Sequence, residues 1–133
     1  MRPTLTSISH VVALALLCSC AAYADEVAAD ATSPAIAAKL ILRGQANGLK
    51  VSEMRLTRRN DVIVVQADLQ NVTKKDVVAY HRFRWLDANG NQVGDGEAWK
   101  QTLVYGDQFA TIKSVAPNSA VVDLRLELNV EKN

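Results

Sequence analysis

Cysteine is almost missing from this chain: of 133 residues only Cys18 and Cys20 are cysteines. Everything after Cys20 is therefore without an internal disulfide, and its fold has to rest on an apolar core. Histidine is nearly as scarce, with His10 in the apolar N-terminal stretch and His81 alone in the remainder. One imidazole excludes two-histidine zinc motifs and paired-imidazole chemistry. No G-x-S-x-G nucleophile elbow occurs, which removes the common serine-hydrolase layout. No phosphate-cradling loop is present either, because Gly94-Asp95-Gly96 runs into Glu97 instead of a lysine opening a helix. An excess of charge of one sign is also lacking. With Arg2 removed from the 15 basic residues, 14 face 14 acidic ones, and such balance leaves no electrostatic footprint for nucleic acid.

The first residues do carry a signal. Arg2, the apolar run Ile8 to Leu17 and the small residues Ala21 to Ala24 have the layout of an export signal, too short to cross a bilayer as a helix. Two cleavage sites overlap there. Leu17-Cys18-Ser19-Cys20 reads as a bacterial lipobox, with cleavage before a Cys20 that carries the lipid, whereas Ala22-Tyr23-Ala24 suits ordinary signal peptidase. The first predicts an outer-membrane lipoprotein facing the periplasm, since Cys20 is followed by Ala21 and not Asp. The second predicts a soluble periplasmic protein. The expected organisation is a signal peptide over 1–24 (1–19 if Cys20 is acylated), a flexible linker over 25–35 and one β-sandwich domain over 36–133. The linker is read from small, polar, acidic composition without apolar period.

Beyond the linker the period is that of strands. Val122, Leu124, Leu126, Leu128 and Val130 alternate with Asp123, Arg125, Glu127 and Asn129, predicting one buried and one wet face over Ser119 to Val130. Asp61 to Gln70 puts Ile63, Val65, Ala67 and Leu69 on one face, and Val77 to Leu86 turns Phe83 and Trp85 inward with Arg82 and Arg84 outward. Further strands are expected at Leu49 to Thr57, Lys100 to Tyr105 and Phe109 to Val115, while Ile36 to Leu42 suits a short helix or an edge strand. Asn71 to Asp76 reads as a turn, and Asn89-Gly90 as a type I′ hairpin turn. Six or seven short strands without a long amphipathic helix predict an all-β fold, an antiparallel immunoglobulin-like sandwich.

The candidate interaction surface is basic. Arg82 and Arg84 share an outer face, which Arg125 or Arg55 from other strands would extend into a stripe able to hold a phosphate, a glycan carboxylate or an acidic partner. The plainer expectation is pairing with Asp68, Asp123 or Glu127 across the sheet. Trp99 and Tyr105 are read as closing the ends of the core, with stacking on a sugar ring as the alternative. Asp87, Asn89 and Asn91 alternate like the first ligands of a calcium loop, but Gln92 and Ala98 stand where that loop requires Gly and Glu. A solvated turn is the expectation there. No catalytic, metal or cofactor-binding residue is assigned.

Tyr80-His81-Arg82-Phe83-Arg84-Trp85-Leu86-Asp87, Asn89-Gly90, Trp99, the Gly106 turn, Ser114-Val115-Ala116-Pro117-Asn118 and Leu124-Arg125-Leu126, with Asn71 before them, resemble the YcfL-like family of small bacterial envelope lipoproteins. The resemblance spans roughly Leu49 to Leu128. It implies an immunoglobulin-like sandwich on a lipid anchor in a Gram-negative envelope, without a known activity. An accessory role beside envelope proteins or peptidoglycan is the resulting expectation. The rival expectations are a soluble periplasmic ligand-binding protein and a non-catalytic subunit of an envelope enzyme.

Overall fold

Period-two runs of Val, Ile, Leu and Phe form the central strands of the fold because each can bury one face and wet the other. The computed structural model describes residues 34–132; the expected signal, Cys20 and most of the linker lie outside them. One helical turn, α1 (Pro34–Ala37), precedes β1 (Leu40–Arg43), so the ambiguous Ala-rich stretch holds both a turn of helix and a strand. Then follow β2 (Leu49–Arg59), β3 (Val62–Asn71), β4 (Val77–Leu86), β5 (Lys100–Val104), β6 (Phe109–Val115) and β7 (Asp123–Lys132).

The strands pack as a four-stranded sheet, β1-β7-β4-β5, over a three-stranded one, β2-β3-β6. The expected all-β sandwich is what the chain forms. All pairings are antiparallel except β1 with β7, where Leu40 to Arg43 run alongside Leu126 to Asn129 in parallel. Inward faces interdigitate as a layer of Val51, Val65, Ala67 and Leu69 against Phe83, Trp85, Leu124 and Leu126. Phe83 and Trp85 stack with ring centroids 5.9 Å apart. Val122 departs from the expected alternation: it is 50% exposed, because β7 starts only at Asp123 and Val121 takes the core position.

Turn chemistry also falls differently from expectation. The two-residue turn with both central residues at positive φ is Asn60-Asp61 (47° and 63°), joining β2 to β3. At Asn89-Gly90 only Gly90 has positive φ. That turn is followed by a single bridge, Leu86 to Gln92, and the chain pairs with β4 again only from Lys100. The stretch after Asn71 is a crossover between sheets, since β3 and β4 belong to different layers. Gly106 packs on this crossover so closely that a Cβ would overlap the Lys74 backbone. Its N–H donates to Asp76, and Asp107 N–H donates to Thr73 O.

Candidate functional site

The outer face of the four-stranded sheet is organised by one carboxylate. Alternation assigns Glu127 to the wet side of β7, yet it is 0% exposed. β4 brings Arg82 directly opposite it, and the parallel β1 brings Arg43 alongside. Arg43 donates through Nε and Nη2 at 3.1 and 3.0 Å, Arg82 through Nε at 2.9 Å, and Arg84 through Nη1 at 3.4 Å. Three guanidiniums cover the carboxylate from water, so the residue expected on a solvated face is buried by its counter-ions. Burial alone would raise the Glu127 pKa; hydrogen bonds from Arg82 and Arg43, then their charges, outweigh it and lower it. The arginines keep 30% to 52% of their side-chain surface exposed. Three positive charges against one leave a surplus that faces solvent.

Arg125 stands opposite Arg84 across β4 and β7 but points to another partner. Its Nη1 donates to Asp123 at 2.7 Å and to Leu124 O. Burial pushes the Asp123 carboxyl up, while hydrogen bonds from Lys39, Arg125 and the Leu124 N–H hold it at about 2. Of the expected stripe, Arg82 and Arg84 therefore converge, Arg125 flanks them, and Arg55 lies on the other sheet paired with Glu53 and Asp68. Pairing of Arg82 and Arg84 with Glu127 across the sheet is what the plainer expectation named, whereas Arg43 was not marked by its sequence. Arg43 reaches Glu127 through parallel pairing at an edge, which short-range periodicity does not encode.

Trp99 corrects a further expectation. It does not close the core but lies on this outer face, 40% exposed, just before β5. Arg82 Cζ is 4.6 Å from its ring centroid and Arg43 Cζ 6.0 Å, both in cation–π range. Tyr105 is likewise outside the core at 59% exposed. Beside Trp99 runs a shallow groove of about 310 Å³ lined by Tyr80, Trp99, Asn129 and Glu131.

A second polar group sits at the rim of the core. Glu97 folds inward from the β4–β5 connection and accepts from Trp85 Nε1 at 3.2 Å, from Ser114 Oγ and from Lys100 Nζ. It ties the two sheets together, since Trp85 is on β4 and Ser114 on β6. Nearby His81 is 4% exposed and its Nδ1 has no hydrogen-bond partner. Because Ser114 bonds Glu97 and not His81, these three residues are not wired as nucleophile, base and orienting acid. Asp87 accepts from the Asn89 and Asn91 N–H groups, which lowers its pKa chiefly through Asn91. Its oxygens cap a turn, as the solvated-turn reading expects. Among the described residues no group of three His, Cys, Asp or Glu side chains is placed to hold a metal.

His81 supplies a pH test. Burial, then Lys100, lower its pKa, with Glu97 opposing. The folded protein therefore keeps it neutral while the unfolded chain takes up a proton below about 6.5. Stability falls as pH drops through that value, until the folded pKa is reached. Thermal melts between pH 7.5 and 5 should show this decline, and His81→Leu should flatten it. An unchanged slope in the variant would remove His81 as its source.

A family model described as a protein of unknown function (DUF1425) matches residues 37–130. No curated protein matches the sequence. Among solved structures, Cj0090 of Campylobacter jejuni superposes with a TM-score of 0.59 at 17% identity, over 70% of this chain and 98% of that one. A DUF1425 family member from a Shewanella species gives 0.56 at 23% identity, over 60% and 75% of the two chains. Both likenesses are of fold.

Proposed function

The chain belongs to the DUF1425 family, and from that membership and its arginine-rich sheet face we propose that it is a non-enzymatic binding module of the bacterial cell envelope. In this reading it is a YcfL-like lipoprotein, anchored to the outer membrane through Cys20 and facing the periplasm. Two acyl chains on Cys20 would suffice for stable anchoring. The observation that carries the binding role is the convergence of Arg43, Arg82 and Arg84 on the buried Glu127. It leaves guanidiniums pre-positioned, with part of their ordering cost already met, for an anionic partner. A catalytic role has no such support, because Ser114 and His81 do not share a hydrogen bond.

Two measurements test the reading. The intact mass of the mature protein from its native envelope should show an acylated Cys20; a free N-terminus at Asp25 would reject the anchor. For binding, Arg43→Ala combined with Arg84→Ala removes surplus charge while leaving the 2.9 Å Arg82–Glu127 pair that holds the sheet face. The double variant should fold, yet bind isolated peptidoglycan sacculi and poly-glutamate roughly fivefold or more weakly at low salt. Equal binding by a folded double variant would reject the arginine face.

A further inference from the structure

The geometry points to an acidic carbohydrate, a pyranose ring bearing a carboxylate, as the occupant of the groove between Tyr80 and Trp99. This rests on the reading of the arginine face as a binding surface and names its ligand class. A pyranose presents an apolar C–H face and a rim of hydroxyls, and the groove offers the complement of both. The indole of Trp99 forms one wall, held in place by the guanidiniums of Arg82 and Arg43 at 4.6 and 6.0 Å from its centroid. It remains 40% exposed, so aromatic surface is left for stacking. Tyr80 forms the second wall, its hydroxyl 3.4 Å from Glu131. Asn129 contributes one donor and one acceptor group and Glu131 a further acceptor, which suits ring hydroxyls.

The charge pattern selects the acid. Glu127 takes Arg82 through Nε alone, so the terminal amino groups of Arg82 remain for a carboxylate at the Trp99 end of the groove. Glu131 lines the groove and Glu127 lies under the arginines. Both would repel a multiply charged phosphate more than a single carboxylate. The volume of about 310 Å³ is at the small end for ligand sites and fits one or two sugar rings. A peptide with acidic side chains would satisfy the arginines but make little use of the aromatic walls.

Calorimetric titration of the mature protein tests this with N-acetylmuramic acid and glucuronic acid against glucose, acetate and poly-glutamate. The acidic sugars should bind more tightly than glucose and acetate. Trp99→Ala should weaken them roughly five- to tenfold and Trp99→Phe much less. Circular dichroism and melting should show both variants folded, as expected for an exposed side chain. Binding of acidic sugars that Trp99→Ala leaves unchanged, or equal binding of glucose, overturns the inference. If poly-glutamate binds through Arg43 and Arg84 while no sugar does, the arginine face stands and the carbohydrate falls. If neither binds, both fall.

Discussion

Replacing Glu127 by Gln should destabilise the protein by about 2–3 kcal/mol, near the lower edge of what breaking a buried ion pair costs. The carboxylate is 0% exposed and receives hydrogen bonds from Arg43, Arg82 and Arg84. Gln keeps the volume but removes the negative charge, so three guanidiniums would crowd one another around a neutral amide. The loss stays below the full buried-pair value because each arginine is already 30% to 52% exposed and can turn toward water. Urea unfolding measures the loss. A Gln variant within 0.5 kcal/mol of wild type, inside the usual range of a surface change, would show that Glu127 does not organise this face. The same residue links stability to pH. Its folded pKa is lowered, so its contribution is present above about 4.5 and is lost as pH falls through the folded value. The acid limb of wild type should therefore be shallower in the Gln variant.

Which parts of this arrangement were readable beforehand follows from the range of the interactions. β4 and β6 appear at the bounds their alternation predicts, and β3 one residue later, because a half-buried strand writes its two faces locally. Arg82 and Arg84 were placed on the outer face for the same reason. Alternation, however, states only which side of a sheet a residue leaves from. It does not state what covers that side, so Glu127 looked wet and Trp99 looked like a core plug. The cover comes from β1, whose parallel pairing with β7 joins residues far apart in the chain, and from the residue before β5. Turn chemistry was legible only in part. Asn89-Gly90 has the composition of a tight hairpin but leads into a long connection, because Glu97 must reach inward to Trp85 and Ser114 before β5 begins. The true two-residue hairpin, Asn60-Asp61, lacks the glycine that usually announces one.

Asn71→Ala should cost about 2–3 kcal/mol, from the buried Val104 carbonyl and the Thr73 N–H losing their partners together. Asn71 is 1% exposed at the end of β3, where the chain leaves one sheet for the other. Its Nδ2 donates to Lys75 O at 2.7 Å and to Val104 O at 3.0 Å, and its Oδ1 accepts from Thr73 N–H and Thr73 Oγ1 at 2.9 and 2.8 Å. One amide thus shapes the crossover and fastens it to β5, beside the Gly106 turn that packs on Lys74. Alanine would leave the buried Val104 carbonyl and the Thr73 N–H without their Asn71 partners, while Lys75 O keeps the Thr73 hydroxyl at 3.0 Å. Asn71→Asp separates hydrogen bonding from packing, since it keeps the shape but turns a donor into an acceptor facing the two carbonyls. The Asp variant should be at least as unstable as the Ala variant at pH 7, because an ionised carboxylate would be buried against carbonyl oxygens. That burial raises the folded pKa of the introduced acid above its unfolded value of about 3.9. Its deficit should therefore shrink as pH falls through the raised value, where the protonated acid donates again. Chemical denaturation of both variants at pH 7 and pH 5 reads this out. If Asn71→Asp matched wild type at pH 7, the amide donors would not be what holds the crossover to β5.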